Sequence, residues 1–382
     1  MESLTAARRT TEVILTRTIN RDAIDLLGEL VAIDSVNPGY SDGGVGEGAI
    51  AAFVAAWLER AGLEVRVEEV APGRPNVVAR APGRGGGRTL LLNGHVDTVG
   101  YAGMSEPLVP RVEGGRLYGR GACDMKAGLA AIMLAGAHAA RVRPAGDVVV
   151  AAVVDEELTS LGSEAVAGKV AADGAVVAEP TDLAIGVAHR GFVWLEAETA
   201  GRAAHGSRPD LGEDAIVAMA PVVAGIGRLD FALRNGTAHP LVGTASVHAS
   251  TIAGGGEWST YPDRCRLDVE RRTLPGETPA QVADELRALL PEGGSVRVAF
   301  VREPLETSSA EPVVEALHRA AGTELVGLPF WTDAALFAAA GVPSVVFGPG
   351  GGGLHELVEW ADLDQLDRAV VVFAELVDTF CA

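Results

Sequence analysis

The sequence predicts an α/β protein: a mainly parallel, mixed sheet flanked by helices and interrupted by a smaller α+β unit. Three observations carry that prediction. Short Val/Leu-rich runs alternate with helical patterns through the first half of the chain, as βαβ units do. Between about 187 and 302 the pattern changes to alternating strands and two helices in the order β–α–β–β–α–β, that of a split βαβ unit. A buried-strand pattern, "SVVFGPG", then returns near the C-terminus. A chain of 382 residues is expected to form two domains, here 1–186 with 303–382, and 187–302 between them.

The elements follow in order. Residues 47–61, "EGAIAAFVAAWLERA", carry apolar groups at helical spacing and stop at Gly62. Strands are expected at "EVRVEEV", "NVVARA", "TLLLNG", "VVVAAVVDE" and "AVVAEP", with "MKAGLAAIMLAGAHAARV" as a buried helix whose small residues allow close packing. In the interrupting unit, "GFVWLEAETAG" alternates as a half-buried strand does, and "EDAIVAMAPVVAGIGRL" is an amphipathic helix. "ASVHASTIAGG" and "DRCRLDVERRTLPGE" are further strands, and Thr278 opens a second helix ahead of Pro279. An inserted unit of this kind is well placed to act as a lid.

Composition narrows the function. Hydrophobic residues make up 48% and charged residues 21%, which reads as a globular chain. A formal net charge of −20 argues against a phosphate-backbone partner, so no nucleic acid is expected. Three scattered cysteines argue against a disulfide scaffold and a thiolate zinc finger, and suit a reducing compartment. The N-terminus lacks a secretory apolar core, and "GLAAIMLAGAHAARV" is short for a membrane span. The expected location is the cytoplasm, with no membrane partner.

Acidic residues and histidines gather at the ends of the expected parallel strands, where open α/β sheets hold ligands. "LLLNGHVDTV" delivers His95 and Asp97, "RGACDMKAG" delivers Asp124, and "VVVAAVVDEE" delivers Asp155, Glu156 and Glu157. "AVVAEP" delivers Glu179 and "FGPGGGGLHELVE" delivers His355. Imidazole and carboxylate are the donors that divalent zinc prefers, and a two-metal site needs one carboxylate shared between the ions. Asp124 is the candidate for that bridge. His95 and Glu179 would complete one ion, Glu157 and His355 the other. Asp97 would orient the His95 ring, and Glu156 is left over as a general base. Each motif alone reads as a turn or a solvated face. Together, with no metal, they would bury unpaired carboxylates at a cost of several kcal/mol each.

Taken as a set, "GHVDTV", "GRGACDMKAG", "DEE", "EP" and "GPGGGGLH" resemble, in order and spacing, the co-catalytic dizinc amidohydrolase and peptidase family. That family includes acetylornithine deacetylase, succinyl-diaminopimelate desuccinylase, aminoacylase and glutamate carboxypeptidase. The resemblance runs from "DSVNPG" at Asp34 to "HELVEW". It implies a zinc-peptidase-like catalytic domain carrying two divalent ions, Zn2+ by donor type with Co2+ or Mn2+ able to serve. It implies the roles given above, and two more in the lid: His205 in "GRAAHGSRP" for the oxyanion, and Arg272 in "ERRTLPGE" for the substrate carboxylate. It further implies a homodimer through the lid, with His205 acting in cis or across the dimer. The expected substrate is a small N-acyl amino acid; a carboxypeptidase, dipeptidase or desuccinylase shares the core, and a non-catalytic relative would lack some ligand or the base. One departure stands out: Ser259 of "STYP" occupies the place of a family asparagine, which bears on substrate choice.

Overall fold

Residues 21–39, 43–101 and 103–382 are described in the computed structural model, and they fall into two units. One holds the chain up to Val187 together with Thr307–Val326 and Thr332–Ala382; the other holds Ala188–Glu306 with Gly327–Trp331. In chain order the first unit supplies helix α1 (Gly48–Arg60) and strands β1 (Glu64–Ala71), β2 (Arg74–Ala81) and β3 (Leu90–His95). Helix α2 (Ala127–Val142) follows, then β4 (Val148–Val153), β5 (Gly174–Val177) and β6 (Ile185–His189), whose last two residues are counted in the second unit. The second unit continues with β7 (Gly191–Ala200), α3 (Ala215–Arg234), β8 (Ser246–Gly254) and β9 (Arg264–Thr273). It closes with α4 (Pro279–Arg287) and β10 (Ser295–Arg302). The first unit then resumes with α5 (Pro312–Ala321), β11 (Ser344–Val346) and α6 (Leu363–Phe380).

In the first unit the strands lie in the order β1-β2-β4-β3-β5-β11-β6. Strands β4, β3, β5 and β11 pair in parallel, and antiparallel partners flank them on both sides. The reason lies in side-chain type. The four parallel strands are buried on both faces, which continuous Val, Leu and Ala runs permit, whereas β1 interleaves charged residues and is largely open. The register pairs His95 with Val153 and Asn93 with Val177, so β3, β4 and β5 end along one edge. Whatever follows them emerges together.

Helix α2 packs close beneath that edge because Gly128 lacks a side chain: a Cβ there would stand 1.8 Å from the carbonyl oxygen of Ala178. Helix α6 is opened by Asp362, whose carboxylate accepts from the amides of Asp364 and Gln365, both at 3.0 Å. Its Leu366, Phe373, Leu376 and Phe380 recur at helical spacing and are buried, with Phe373 edge-on to Phe347 at 5.6 Å.

In the second unit the antiparallel order β8-β9-β7-β10 is that of a split βαβ sheet. One face alternates Val193, Leu195 and Ala197 with Leu267 and Val269, and packs against Met219 and Val222 of α3 and Val282 and Leu286 of α4. Thr278 and Gln281 form a capping box at the start of α4. By length and composition α3 would suffice to cross a membrane; here one side of it covers the sheet.

Candidate metal centre

Strand β3 ends at His95, and the amide of Val96 still bonds the Val153 carbonyl at 2.8 Å, so the ring leaves a fully ordered edge. Its Nδ1 lies 2.9 Å from the backbone carbonyl of Asp97 and 3.6 Å from the Asp97 carboxylate. A carbonyl only accepts, so Nδ1 carries a proton toward Asp97 and Nε2 is the nitrogen that faces the carboxylates. The orienting contact from Asp97 is therefore made by its main chain. The Asp97 side chain instead accepts from the amides of Glu156 (3.2 Å) and Glu157 (3.3 Å). Those two residues leave β4 through Asp155, whose φ of 69° turns the chain sharply at the strand end.

Asp124 sits in the loop before α2. That loop is held from behind by Glu359, whose carboxylate accepts hydrogen bonds from the amides of Gly121 (2.9 Å), Cys123 (3.0 Å) and Asp124 (3.0 Å) and from Nη1 of Arg120 (2.7 Å). Glu179 follows β5, where the Ala178 amide bonds the Asn93 carbonyl at 2.9 Å. His355 reaches in from a loop with φ 61°.

The structure brings six of the expected residues into contact range. Nε2 of His95 is 3.1 Å from Asp124 Oδ1, 3.6 Å from Glu179 and 3.9 Å from Glu156. Nε2 of His355 is 3.3 Å from Asp124 Oδ2 and 3.1 Å from Glu157. Each histidine therefore faces its own oxygen of Asp124. Among the described residues, two overlapping sets, His95 with Glu156 and Glu179, and His95 with Asp124 and Glu157, have donor atoms within 4.8 Å of one another.

The charges do not balance. Burial pushes the carboxyl groups of Glu156 and Glu179 well above the usual range, with the charge of Glu179 adding to the effect on Glu156. Burial and then Asp124 raise Glu157 to about 7, and burial raises Asp333 to about 6 although Ser163 and Ser160 bond it. His95 is opposed by burial, yet Glu179, Asp124, Glu156 and Asp97 hold its charged form well above the ordinary value. Hydrogen bonds to Asp124 and Glu157 lift His355 to about 10. Asp124 is the exception among the acids: burial opposes its charge, but bonds from both histidines outweigh that and hold it low. Glu179 also buries an oxygen, Oε1, that accepts no hydrogen bond. An excess of buried carboxylate, two imidazoles and an orphaned oxygen form a donor set that fits divalent cations.

The second unit holds the remaining two candidates. His205 is exposed, and its Nδ1 meets Ser207 Oγ at 2.8 Å within the same loop. The main chain of Ser259 accepts the Gly206 amide at 2.6 Å. Arg272 pairs with Glu270 and lies over the Phe192 ring at 5.1 Å. Its neighbour Arg271 is buried and already engaged by Glu277 (2.7 Å) and Glu285 (3.1 Å), which leaves Arg272 as the more available guanidinium. Trp331 donates to the Glu303 carbonyl at 3.0 Å. His138 is satisfied by Asp378 at 2.7 Å in the first unit.

Sequence reasoning passed over Glu359, Asn37 and the role of Asp155. A signal for Glu359 did exist, an acid in the otherwise apolar "LVEW" shortly after His355, but its backbone partners are 235 to 238 residues away.

Residues 91–379 match the model of peptidase family M20/M25/M40. The acetylornithine deacetylase of Myxococcus xanthus is 31% identical over 351 residues, 86% of this chain and 91% of that one. The N-formyl-4-amino-5-aminomethyl-2-methylpyrimidine deformylase of Bacillus subtilis is 28% identical over 381 residues, 87% of this chain and 89% of the relative. In structure, the Bacillus subtilis YXEP protein, a dinuclear metal-binding M20 peptidase, superposes with a TM-score of 0.74 at 18% identity, covering 96% of this chain and 99% of the other.

Proposed function

Because this chain belongs to peptidase family M20/M25/M40 and is a hydrolytic enzyme acting on amides, we propose that it removes the acyl group from a small N-acyl amino acid. The observation that carries this reading is the pair of histidines set on the two oxygens of Asp124, at 3.1 and 3.3 Å. His95 and Glu179 would hold one ion, Glu157 and His355 the other, with Asp124 between them. Zn2+ is the ion favoured by nitrogen and carboxylate donors. When bound, the two ions supply Lewis acidity toward the amide carbonyl and make a water more acidic.

The chain's own groups do the rest. Glu156 takes the proton of the attacking water and returns it to the departing amine nitrogen, a role suited to a carboxyl group whose affinity for protons burial has raised. His205 donates to the oxyanion that forms on the carbonyl oxygen. Arg272 pairs with the substrate carboxylate through two parallel N–H groups. The second unit, read as 187–302, serves as lid and dimerisation unit. In support, β8 lies at the sheet edge and is largely open, and Val217 and Phe231 of α3 expose apolar surface. Sedimentation velocity distinguishes the dimer from a monomer. The three free, buried cysteines suit the cytoplasm, where cell fractionation is expected to recover the protein.

The test is a hydrolysis panel followed by mass spectrometry, with Zn2+- or Co2+-loaded protein and a chelated control. It sets N-acetylornithine, N-succinyl-diaminopimelate, N-acetyl and N-formyl amino acids against dipeptides and peptides ending in glutamate. Chelator-sensitive release of an amino acid from an N-acyl substrate is the expected result. Cleavage confined to peptides would replace the deacylase with a carboxypeptidase or dipeptidase on the same residues, and cleavage of nothing by protein holding two ions would point to an unusual acyl substrate admitted by Ser259, or to a binding protein.

A further inference from the structure

The carboxylate of Asp97 holds more than the neighbouring amides. Its Oδ2 accepts from Asn37 Nδ2 at 2.8 Å, and the same nitrogen donates to Asp155 Oδ1 at 3.0 Å. Arg74 Nη2 lies 2.9 Å from that Asp155 oxygen and pairs with Glu47, its Nε at 2.9 Å from Glu47 Oε2. None of Asn37, Glu47, Asp97 and Asp155 is more than 2% exposed. Three buried carboxylates thus converge on one guanidinium and one neutral amide.

The orientation of that amide is fixed from its other end. Asn37 Oδ1 accepts the Gly39 amide at 2.9 Å, so the NH2 group must face the two acids. The backbone is pinned as well: the Asn37 amide bonds the Thr98 carbonyl at 2.9 Å, and the Thr98 amide bonds Ser35 at 3.0 Å. A side chain of this size with two donors and no charge can join two carboxylates without adding a third. Serine offers one donor, and leucine, of nearly the same shape as asparagine, offers none.

We infer that Asn37 is a positioning residue: it locks the arm carrying His95 and Asp97 to the arm carrying Asp155, Glu156 and Glu157, while Arg74 and Glu47 anchor the far side of Asp155. The two arms bring the base and the metal ligands from neighbouring strands, and Asn37 adds a side-chain bridge to the bonds from the Glu156 and Glu157 amides to Asp97 that already join them. The inference rests on the roles of Glu156 and His95 proposed above.

The experiment is Asn37→Leu, with Asn37→Ser as the milder variant that keeps one donor. Both are compared with Val372→Ala, a change in the buried face of α6 that lowers Tm without touching the site. Zn2+ titration of the metal-free proteins by calorimetry is expected to show affinity at one site weakened about 10–100-fold in Asn37→Leu. With the substrate found by the panel, kcat is expected to fall about 10²-fold while KM moves less than about threefold. Asn37→Ser should fall between, and it carries the test if the leucine variant does not fold. Wild-type Zn2+ affinity in the variant, or losses no larger than those of Val372→Ala at equal Tm, would overturn the inference. The titration needs no substrate, so it decides the role of Asn37 even where the wild-type protein hydrolyses nothing, the outcome that would count against the functional reading instead.

Discussion

His95 and His205 show how differently the two units hold a candidate functional side chain. His95 ends a strand bonded on both sides; it is 1% exposed, with its ring nitrogens directed by Asp97 and Asp124. His205 sits on an open loop and finds its hydrogen bond two residues away, at Ser207. The same contrast separates Asp124, whose loop is clamped by Glu359, from Arg272, which rests over Phe192 on an open sheet face. Groups that must hold fixed charges together need a rigid, buried frame, because small displacements of buried carboxylates carry large electrostatic penalties. Groups that meet a substrate can stay on accessible surfaces and be ordered by what they bind.

That contrast can be broken or sharpened by substitution. The largest expected effect is Glu156→Gln, which keeps shape and removes the proposed base: kcat should fall by roughly 10²–10⁴-fold with two Zn2+ ions still bound. Retained turnover would move the base elsewhere. In the second unit, His205→Ala should lower kcat by about 10²–10³-fold, the usual cost of one oxyanion donor, with Zn2+ affinity unchanged. A loss of Zn2+ affinity in that variant would contradict the division of labour between the units. Arg272→Met should act mainly on binding and raise KM by about 10–100-fold, as expected for one lost bond to a charged group, while kcat changes little.

The smallest effect should be common to both units. Burial pushes the Cys381 thiol up to about 12 and raises Cys123 and Cys265 too. Each thiol therefore stays protonated until well above neutral pH, and the thiolate is the reactive form. Iodoacetamide at pH 8 should label none of the three in the folded protein and all of them in denaturant. Selective labelling of Cys265 would show that the second unit opens more readily than the first.

Sequence periodicity alone determined a good deal. The alternation of "GFVWLEAETAG", the helical spacing in "EDAIVAMAPVVAGIGRL" and the turn chemistry at Thr278 are short-range properties, and β7, α3 and the capping box of α4 follow from them. The candidate donors were also legible, because a parallel sheet collects its strand ends on one edge, and any His, Asp or Glu placed just past those strands must emerge there. Tertiary structure decided what local pattern cannot encode. It made the flanking strands antiparallel, and it used the main chain of Asp97 rather than its carboxylate to orient His95. It brought Glu359 to the Asp124 loop and Asn37 to Asp97 and Asp155, across separations of 235, 60 and 118 residues. A lone buried acid or amide has no period and no motif. Its partner is chosen by the requirement that every buried polar group be satisfied, and that requirement applies only once the chain has closed around it.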